Sequence, residues 1–215
     1  MPVQMPVGKK FAVCLSIDFD GLSSYFSSFG LTTPQAIGRG EYSARVAVER
    51  VLELLATNGL TSTWFIPGHS AETWPAVTRA IVSAGHEIAH HGYIHESPLG
   101  TSRAEEEAIL LRGLDSLDRI ARRRPVGYRS PIWDMTSHTV ELLIEHGFTY
   151  SANGMADDYR PYPARIGDEV SMSGPFKYGR ETGLLEIPSA WYLSDLIQLE
   201  IVYQFPHRTL SAKLR

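Results

Sequence analysis

The stretch IVSAGHEIAHHGYIH, residues 81–95, carries the clearest signal of the fold, because a helix and a strand meet in it at one glycine. Apolar residues at helical spacing lead up to Gly85, and the short apolar run of a buried strand follows at once. The tripeptides NGL (58–60), AGH (84–86) and HGF (146–148) mark the same event three times. A helix that ends on glycine directly before a strand is typical of βα repeats. We therefore predict an α/β fold with a mainly parallel sheet, either open or closed into a barrel.

Strands and helices are predicted to alternate along a single domain, residues 1–215, with a core of about residues 10–195. The predicted strands are 11–17, 61–68, 86–91, 126–130, 148–154 and 184–191. The predicted helices are 43–59, 74–85, 102–123 and 137–147. The apolar run FAVCLSI (11–17) predicts a strand buried on both faces, with Cys14 as an inert buried thiol. Residues 154–183 are rich in Gly, Pro and polar residues, which predicts a long loop or insertion.

Composition limits the classes of partner. Of the 215 residues, 43% are hydrophobic and 20% charged, as in globular proteins, and the net charge of −4 predicts no nucleic-acid partner. No stretch approaches the roughly 20 apolar residues of a membrane span, so no membrane partner is expected. The single cysteine excludes an internal disulfide, and the N-terminus lacks a signal-peptide pattern. We expect a cytoplasmic protein, with a homo-oligomer as an open alternative to a monomer.

The histidines of residues 86–95 allow two metal sites. HEIAH (86–90) matches H-E-x-x-H, the zinc motif of helical proteases, whereas HGYIH (91–95) offers a second pair, His91 and His95. The protease motif requires a helix, but the βα rhythm predicts a strand at these residues. His91 and His95 follow that strand, at the edge where ligands of α/β folds bind. This position favours the second pair, which then requires a third ligand from another strand end.

The segment SIDFDG (16–21) can provide that ligand, because it directly follows the first predicted strand. If the strand continues through it, Asp18 and Asp20 project to the same side. Two adjacent carboxylates repel each other unless a cation neutralises them. A metal on one aspartate would leave the other free as a general base toward water. The alternative for an isolated D-x-D is a loop cap beside a solvated carboxylate.

SIDFDG, GHEIAHHGYIH and YRSPIWD, in this order within a βα repeat, resemble the polysaccharide deacetylase superfamily with its NodB homology domain. The resemblance covers roughly residues 10–195 and implies a distorted (β/α) barrel of NodB type. It implies that Asp18 is the catalytic base and that Asp20, His91 and His95 bind a divalent metal, with zinc expected. It further implies that Arg129, followed by Pro131, orients Asp18. His86 and His90 receive no metal role.

The chain departs from the commonest family pattern at both ends. The spaced Asp18-Phe19-Asp20 replaces two adjacent aspartates and resembles a subgroup with intracellular peptidoglycan-deacetylase-like proteins, cyclic imide hydrolases and metal-independent allantoinases. The family's late L-x-H motif, whose histidine is a general acid, has no match. His207 is the one histidine of the final segment, and its context differs. These features predict a truncated or altered C-terminal part.

The resulting hypothesis is a metal-dependent hydrolase of non-peptide amide C–N bonds. Its expected substrate is an N-acetyl sugar, with a small cyclic imide or ureide as the alternative. Two further alternatives are a metal-free enzyme and a degenerate, non-enzymatic family member. Candidate substrate contacts are Pro131 and Trp133 beside Arg129, together with Glu41 and Tyr42 of the segment GEY.

Overall fold

The computed structural model describes residues 7–195, which form one mixed α/β unit. Its strands are β1 (Ser16–Asp18), β2 (Thr63–Ile66), β3 (Glu87–His90), β4 (Gly127–Tyr128), β5 (Tyr150–Ser151), β6 (Tyr162–Ile166) and β7 (Arg180–Glu186). Its α-helices are α1 (Ser23–Ser27), α2 (Pro34–Tyr42), α3 (Val48–Thr57), α4 (Gly68–Thr73), α5 (Pro75–Ser83), α6 (Arg103–Ala121) and α7 (Thr139–Glu145). A π-helical turn (Ser43–Ala47) joins α2 to α3, and 3-10 turns cover Pro131–Trp133 and Trp191–Leu193.

The strands form one mainly parallel sheet in the order β1-β2-β3-β4-β5-β7-β6. Every neighbouring pair is parallel except the β6–β7 hairpin. The predicted α/β class is therefore confirmed. Within residues 7–195 the sheet has two edges, at β1 and β6. The final segment with His207, on which the predicted C-terminal truncation rests, lies outside the described residues.

The three glycine signals mark real helix ends. Gly59, Gly85 and Gly147 have φ of +62°, +87° and +80°, a left-handed conformation that glycine adopts without steric cost. They end α3, α5 and α7, and β2, β3 and β5 begin within four residues of them. The predicted helices and the strands near residues 61–68, 86–91, 126–130 and 148–154 are confirmed, with shorter bounds for most.

The prediction for residues 11–17 is wrong in extent and in burial. Strand β1 begins only at Ser16, because Ser16 pairs with Thr63, the first residue of β2. Residues before Ser16 therefore lie beyond the start of the neighbouring strand. Phe11 and Val13 are exposed, and Cys14 is exposed as well rather than buried.

Two other segments are more regular than predicted. Residues 154–183 are not a long loop throughout, because they contain β6 and the start of β7, which form a hairpin with a register shift between Pro163 and Arg165. The strand predicted at 184–191 begins earlier, at Arg180, and ends at Glu186. Glu41 and Tyr42, two of the candidate substrate contacts, are the last two residues of helix α2.

The apolar core forms three clusters, and helix α6 contributes to the two larger ones. Leu117 and Ile120 of α6 pack in a cluster with Trp64 and Ile88 of the first strands. Leu110 and Leu114 of α6 pack in a second cluster around β4 and α7. A capping box between Ser102 and Glu105 fixes the start of α6. Polar residues, by contrast, lie at the carboxyl edge of the sheet.

Candidate metal centre

The functional candidates meet at the carboxyl edge of the first four strands. Strands β1 to β4 are parallel neighbours, so their carboxyl ends lie at one edge of the sheet. Asp18 is the last residue of β1, and Asp20 follows two residues later. His91 directly follows β3, and Arg129 directly follows β4. Residues that lie at the ends of three different strands, far apart in the sequence, are therefore close together in space.

Asp20, His91 and His95 form a compact donor group whose ligand atoms all lie within 4.8 Å of one another. His91 Nε2 is 3.5 Å from Asp20 Oδ1, and His95 Nε2 is 3.4 Å from Asp20 Oδ2. Oδ1 of Asp20 is buried and has no hydrogen-bond partner in the described part of the chain. A buried carboxylate oxygen without a partner, facing two imidazole nitrogens, fits a divalent cation, and this donor set suits zinc.

Both imidazoles are held by their other ring nitrogen. His91 Nδ1 donates to the Arg129 carbonyl oxygen at 2.8 Å, so Nε2 is the unprotonated nitrogen of the neutral ring. His95 Nδ1 lies 2.7 Å from the Ser28 hydroxyl, which itself donates to the His95 carbonyl. The hydroxyl therefore accepts from Nδ1, and Nε2 of His95 is directed toward Asp20. Partners of this kind fix the tautomer and orientation of metal-binding histidines.

Burial also keeps His91 in the form that binds metal. Burial lowers the pKa of His91 below its ordinary value, although the charges of Asp18 and Asp20 oppose this shift. The ring is therefore neutral near pH 7, with a lone pair on Nε2. His95 adopts φ of +63°, an uncommon backbone conformation for a residue other than glycine. Such local strain is found preferentially at functional sites.

Asp18 and Arg129 form a close ion pair beside this donor group. Arg129 Nη1 donates to Asp18 Oδ1 at 2.6 Å, and Nη2 donates to the Ser16 hydroxyl at 3.0 Å. Nε donates to the Ala152 carbonyl at 3.1 Å, and the guanidinium lies over the Phe65 ring at 4.1 Å. With all three guanidinium nitrogens engaged, the arginine holds the carboxylate in one orientation.

His86 and His90 have structural contacts instead. His86 Nδ1 accepts from the Ser62 backbone N–H at 3.3 Å. His90 is fully buried, with Nε2 donating to the Leu110 carbonyl at 3.1 Å and Nδ1 accepting from Gly92 N–H at 3.2 Å. Burial lowers the pKa of His90 to about 3. HEIAH lies on a strand, which excludes the helical protease geometry.

The four candidate substrate contacts lie in two segments, the turn after Arg129 and the end of helix α2. Pro131 is buried against Gly92, where a Cβ would lie 3.0 Å from Pro131 Cγ, and Gly92 directly follows His91 in the chain. Trp133 and its neighbour Ile132 both have φ of +60°, a strained pair in the loop that follows Arg129. Glu41 lies 3.9 Å from Arg45 of the π-helical turn, and the Tyr42 hydroxyl accepts from Arg50 of α3 at 3.2 Å.

Several residues around the centre were not recognised from the sequence. Ser28, which holds His95, lies in the serine-rich run SSYFSS and carries no distinguishing signal there. Asn153 accepts from the Ser130 backbone N–H at 2.7 Å. Glu186 accepts from the backbone of Asn153 and Gly154. A glutamate within the apolar segment LLEIP is a recognisable sign of a buried polar role.

A second group with metal-ligand atoms is explained by ion pairs. Glu107, Glu145 and His146 also lie within 4.8 Å of one another. Arg103 contacts both carboxylates, at 3.5 Å and 2.6 Å, and His146 Nε2 lies 2.8 Å from Glu107. These partners already neutralise the acidic groups, so we assign no site to them.

A parallel α/β sheet with an aspartate–histidine–histidine group at its carboxyl edge defines a NodB-type domain with a candidate metal centre. The family model for polysaccharide deacetylases matches residues 40–151, just over half of the chain. The chain is 35% identical to the Helicobacter pylori peptidoglycan deacetylase, over 94% of this chain and 72% of that protein. The chain belongs to the polysaccharide deacetylase family, whose members hydrolyse carbon–nitrogen bonds other than peptide bonds.

Solved structures agree with this assignment. A Mycobacterium smegmatis protein assigned as a polysaccharide deacetylase matches with a TM-score of 0.78 at 38% identity, covering 91% of this chain and 64% of that one. An allantoinase shares the fold, with a TM-score of 0.66 at 24% identity, covering 86% of this chain and 63% of that one. The chain thus spans slightly less than two thirds of these two structures.

No helix within residues 7–195 has the length and apolar character needed to cross a membrane. The cytoplasmic location inferred from the N-terminal sequence stays a prediction.

Proposed function

We propose that this chain is a metal-dependent de-N-acetylase that releases acetate from N-acetylated sugars of a polysaccharide of the peptidoglycan type. The observation that carries the proposal is the group of Asp20, His91 and His95 beside the Asp18–Arg129 ion pair. The family assignment and the 35% identity to a peptidoglycan deacetylase support the choice of substrate class.

The roles follow from donor chemistry and contacts. A divalent metal, with zinc expected, would be held by Asp20, His91 and His95 and would supply Lewis acidity to the amide carbonyl and to water. Asp18 is the general base that takes a proton from the attacking water. Arg129 binds one carboxylate oxygen of Asp18 at 2.6 Å, which orients the carboxylate and leaves its other oxygen to accept that proton.

The bond changes are those of amide hydrolysis. The water oxygen adds to the acetyl carbon, and the bond from that carbon to the sugar nitrogen then breaks. Acetate leaves with the oxygen of the water, and the sugar nitrogen takes up a proton to become an amine. Pro131 and Trp133, in the loop after Arg129, are the expected substrate contacts at this centre, and Glu41 and Tyr42 are expected to contact more distant parts of the substrate.

The test combines metal analysis with a substrate panel. The purified chain is analysed for bound metal and then assayed for acetate release from N-acetylglucosamine oligomers and from peptidoglycan. A cyclic imide and a cyclic ureide are assayed in parallel for ring opening. The same assays are repeated after chelation and after metal is added back. Asp20→Ala is the negative control, because it removes one of the three candidate metal ligands at the carboxyl edge of the sheet.

We expect bound metal and acetate release that is lost on chelation and restored by zinc. Ring opening without acetate release would replace the proposed substrate by a small cyclic amide. Turnover that survives chelation would favour the metal-free enzyme. A chain that binds metal but turns over none of the panel would favour the non-enzymatic family member.

A further inference from the structure

A single peptide group connects the metal centre to strand β5. The carbonyl of the Arg129–Ser130 peptide accepts from His91 Nδ1 at 2.8 Å. The N–H of the same peptide donates to Asn153 Oδ1 at 2.7 Å. The two ends of one rigid plane therefore contact a candidate metal ligand and a buried asparagine.

Asn153 is itself held by its side-chain amide and by its backbone N–H. It is 1% exposed, and its side-chain Nδ2 donates to the Ser151 hydroxyl at 2.7 Å. Its backbone N–H donates to Glu186 Oε1 at 2.5 Å, and the next N–H, from Gly154, donates to the same oxygen at 2.7 Å. Glu186 is also buried, at 2% exposure. These bonds hold the amide oxygen of Asn153 toward the peptide after Arg129.

The same strand end also holds the side chain of Arg129. Arg129 Nε donates to the Ala152 carbonyl at 3.1 Å, one residue before Asn153. The end of β5 therefore fixes both the peptide group that contacts His91 and the guanidinium that contacts Asp18. A displacement of Asn153 would therefore affect both His91 and Asp18, because both side chains bond to Arg129.

We propose that Asn153 is a positioning residue for the metal ligand His91, acting through the Arg129–Ser130 peptide group and held in turn by Glu186. The inference rests on the proposed metal centre and extends it to residues that contact neither metal nor substrate. A hydrogen bond to the N–H end of a peptide polarises it, so the carbonyl end becomes a stronger acceptor for His91. Outer partners of metal-binding histidines typically contribute 10–100-fold to metal affinity.

The test measures zinc affinity by competition with a chromogenic chelator. We expect Asn153→Ala to weaken zinc binding about tenfold, the lower end of the range for such partners. Asn153→Asp retains an oxygen acceptor at the same position and is expected to bind zinc at least nearly as tightly as the wild type. Thr139→Val is the matched control, since Thr139 is 2% exposed and hydrogen-bonded to Glu106 but has no bond to the Arg129–Ser130 peptide.

Each outcome bears on the inference. Equal zinc affinity in Asn153→Ala and the wild type would overturn it, and so would an equal loss in Asn153→Ala and Asn153→Asp. An equal loss in Thr139→Val would also overturn it, because general destabilisation would then explain the effect. If Asn153→Ala does not fold, Glu186→Gln provides the test, with an expected loss of a few-fold. A wild-type chain that binds no zinc would instead overturn the proposed metal centre itself.

Discussion

The two halves of residues 86–95 have the same histidine spacing and opposite chemistry. In the strand half, His86 and His90 bond to backbone groups inside the fold. In the loop half, His91 and His95 turn their Nε2 atoms toward Asp20. The motif alone does not separate the two pairs. What separates them is the end of β3 at His90, because ligands gather beyond the carboxyl ends of parallel strands.

The halves also differ in what holds them. The strand half is fixed by the backbone ladder to β2 and by burial. The loop half also has backbone bonds, from Gly68 N–H to the Gly92 carbonyl and from His69 N–H to the Tyr93 carbonyl, and carboxylates add to them. Glu96 accepts from the backbone of Tyr93 and Ile94, and Glu72 accepts from the Tyr93 hydroxyl. Substitutions in the first half should therefore change stability, and substitutions in the second half should change metal binding.

The largest effect is expected on metal content. Asp20→Ala or His95→Ala should remove bound metal, because a zinc site with two remaining protein ligands is weak. His86→Ala should retain it, because His86 bonds to Ser62 and belongs to the strand half. Elemental analysis of the three purified variants measures the difference.

Unchanged metal content in both loop-half variants would contradict the ligand assignment. Loss of metal in His86→Ala, with His95→Ala still loaded, would restore the H-E-x-x-H assignment and remove the contrast between the two halves.

The second effect is on turnover rather than on metal. Asp18→Asn keeps the shape of the side chain but removes the proton acceptor, so kcat should fall by about 10²–10⁴ with metal retained and KM little changed. Asp115→Asn on helix α6 is the matched control, since the Asp115 side chain is 80% exposed. Near-normal turnover of Asp18→Asn would leave Asp18 as a structural residue of the strand end.

Arg129 provides a sharper version of this test. If Arg129 acts through Asp18, the variant that combines Asp18→Asn with Arg129→Ala should lose less than the product of the two single losses. Steady-state kinetics of the three variants give the coupling. Full additivity would show that the arginine acts elsewhere, for example on the substrate.

The βα rhythm and the main site residues could be predicted because their signals are local. Gly59, Gly85 and Gly147 mark helix ends by a conformation that glycine favours. Strand alternation predicts Asp18 and Asp20 on one side, although β1 ends at Asp18 and Asp20 lies just beyond it. The prediction of a strand at residues 11–17 was wrong for a non-local reason. Its apolar composition favours a strand, but β2 begins only at Thr63, so within residues 7–195 no strand pairs with Phe11 or Val13.

The residues that orient the centre could not be predicted for the same reason. Ser28 and Asn153 act through bonds to segments 67 and 23 residues away in the chain, and nothing in their own surroundings indicates those partners. The hairpin in residues 154–183 was also hidden, because Gly and Pro are enriched in loops and at irregular strand positions alike. Glu186 is the exception, since a charged residue in an apolar strand predicts a buried partner.

The third effect is expected on the free energy of unfolding, and it tests whether the strand half stabilises the fold. His90→Ala should lower the free energy of unfolding by about 3 kcal/mol, because it opens a cavity and leaves the Leu110 carbonyl and the Gly92 N–H without their partner. The variant should still bind metal. Denaturant unfolding of the metal-free protein measures the change, with His95→Ala as the comparison, for which we expect a smaller loss. Equal destabilisation by both substitutions would show that the halves are held alike.

The smallest effect tests the carboxylates that hold the loop half. Glu72 of α4 accepts from the Tyr93 hydroxyl at 2.9 Å, from Ser116 at 2.8 Å and from Arg119 at 2.8 Å. Burial opposes ionisation, but these hydrogen bonds and the charge of Arg119 outweigh it and lower the pKa of Glu72 below its ordinary value of 4.5. The folded state therefore favours the carboxylate over the acid more strongly than the unfolded state does.

The sign of the pH dependence follows from this shift. A lowered pKa in the folded protein contributes stability that is fully present above the unfolded pKa and is lost as the pH falls through the folded pKa. Because the Glu72 side chain is 36% exposed, solvent screens its ion pair, and we expect Glu72→Gln to cost about 1 kcal/mol at pH 7. This difference from the wild type should shrink as the pH falls below 4.5 and through the lowered pKa of Glu72, whereas the exposed Glu53→Gln should change little at neutral or acidic pH. Unfolding curves at both pH values decide the matter, and a Glu72→Gln difference that stays constant between them would show that the loop half does not depend on this carboxylate.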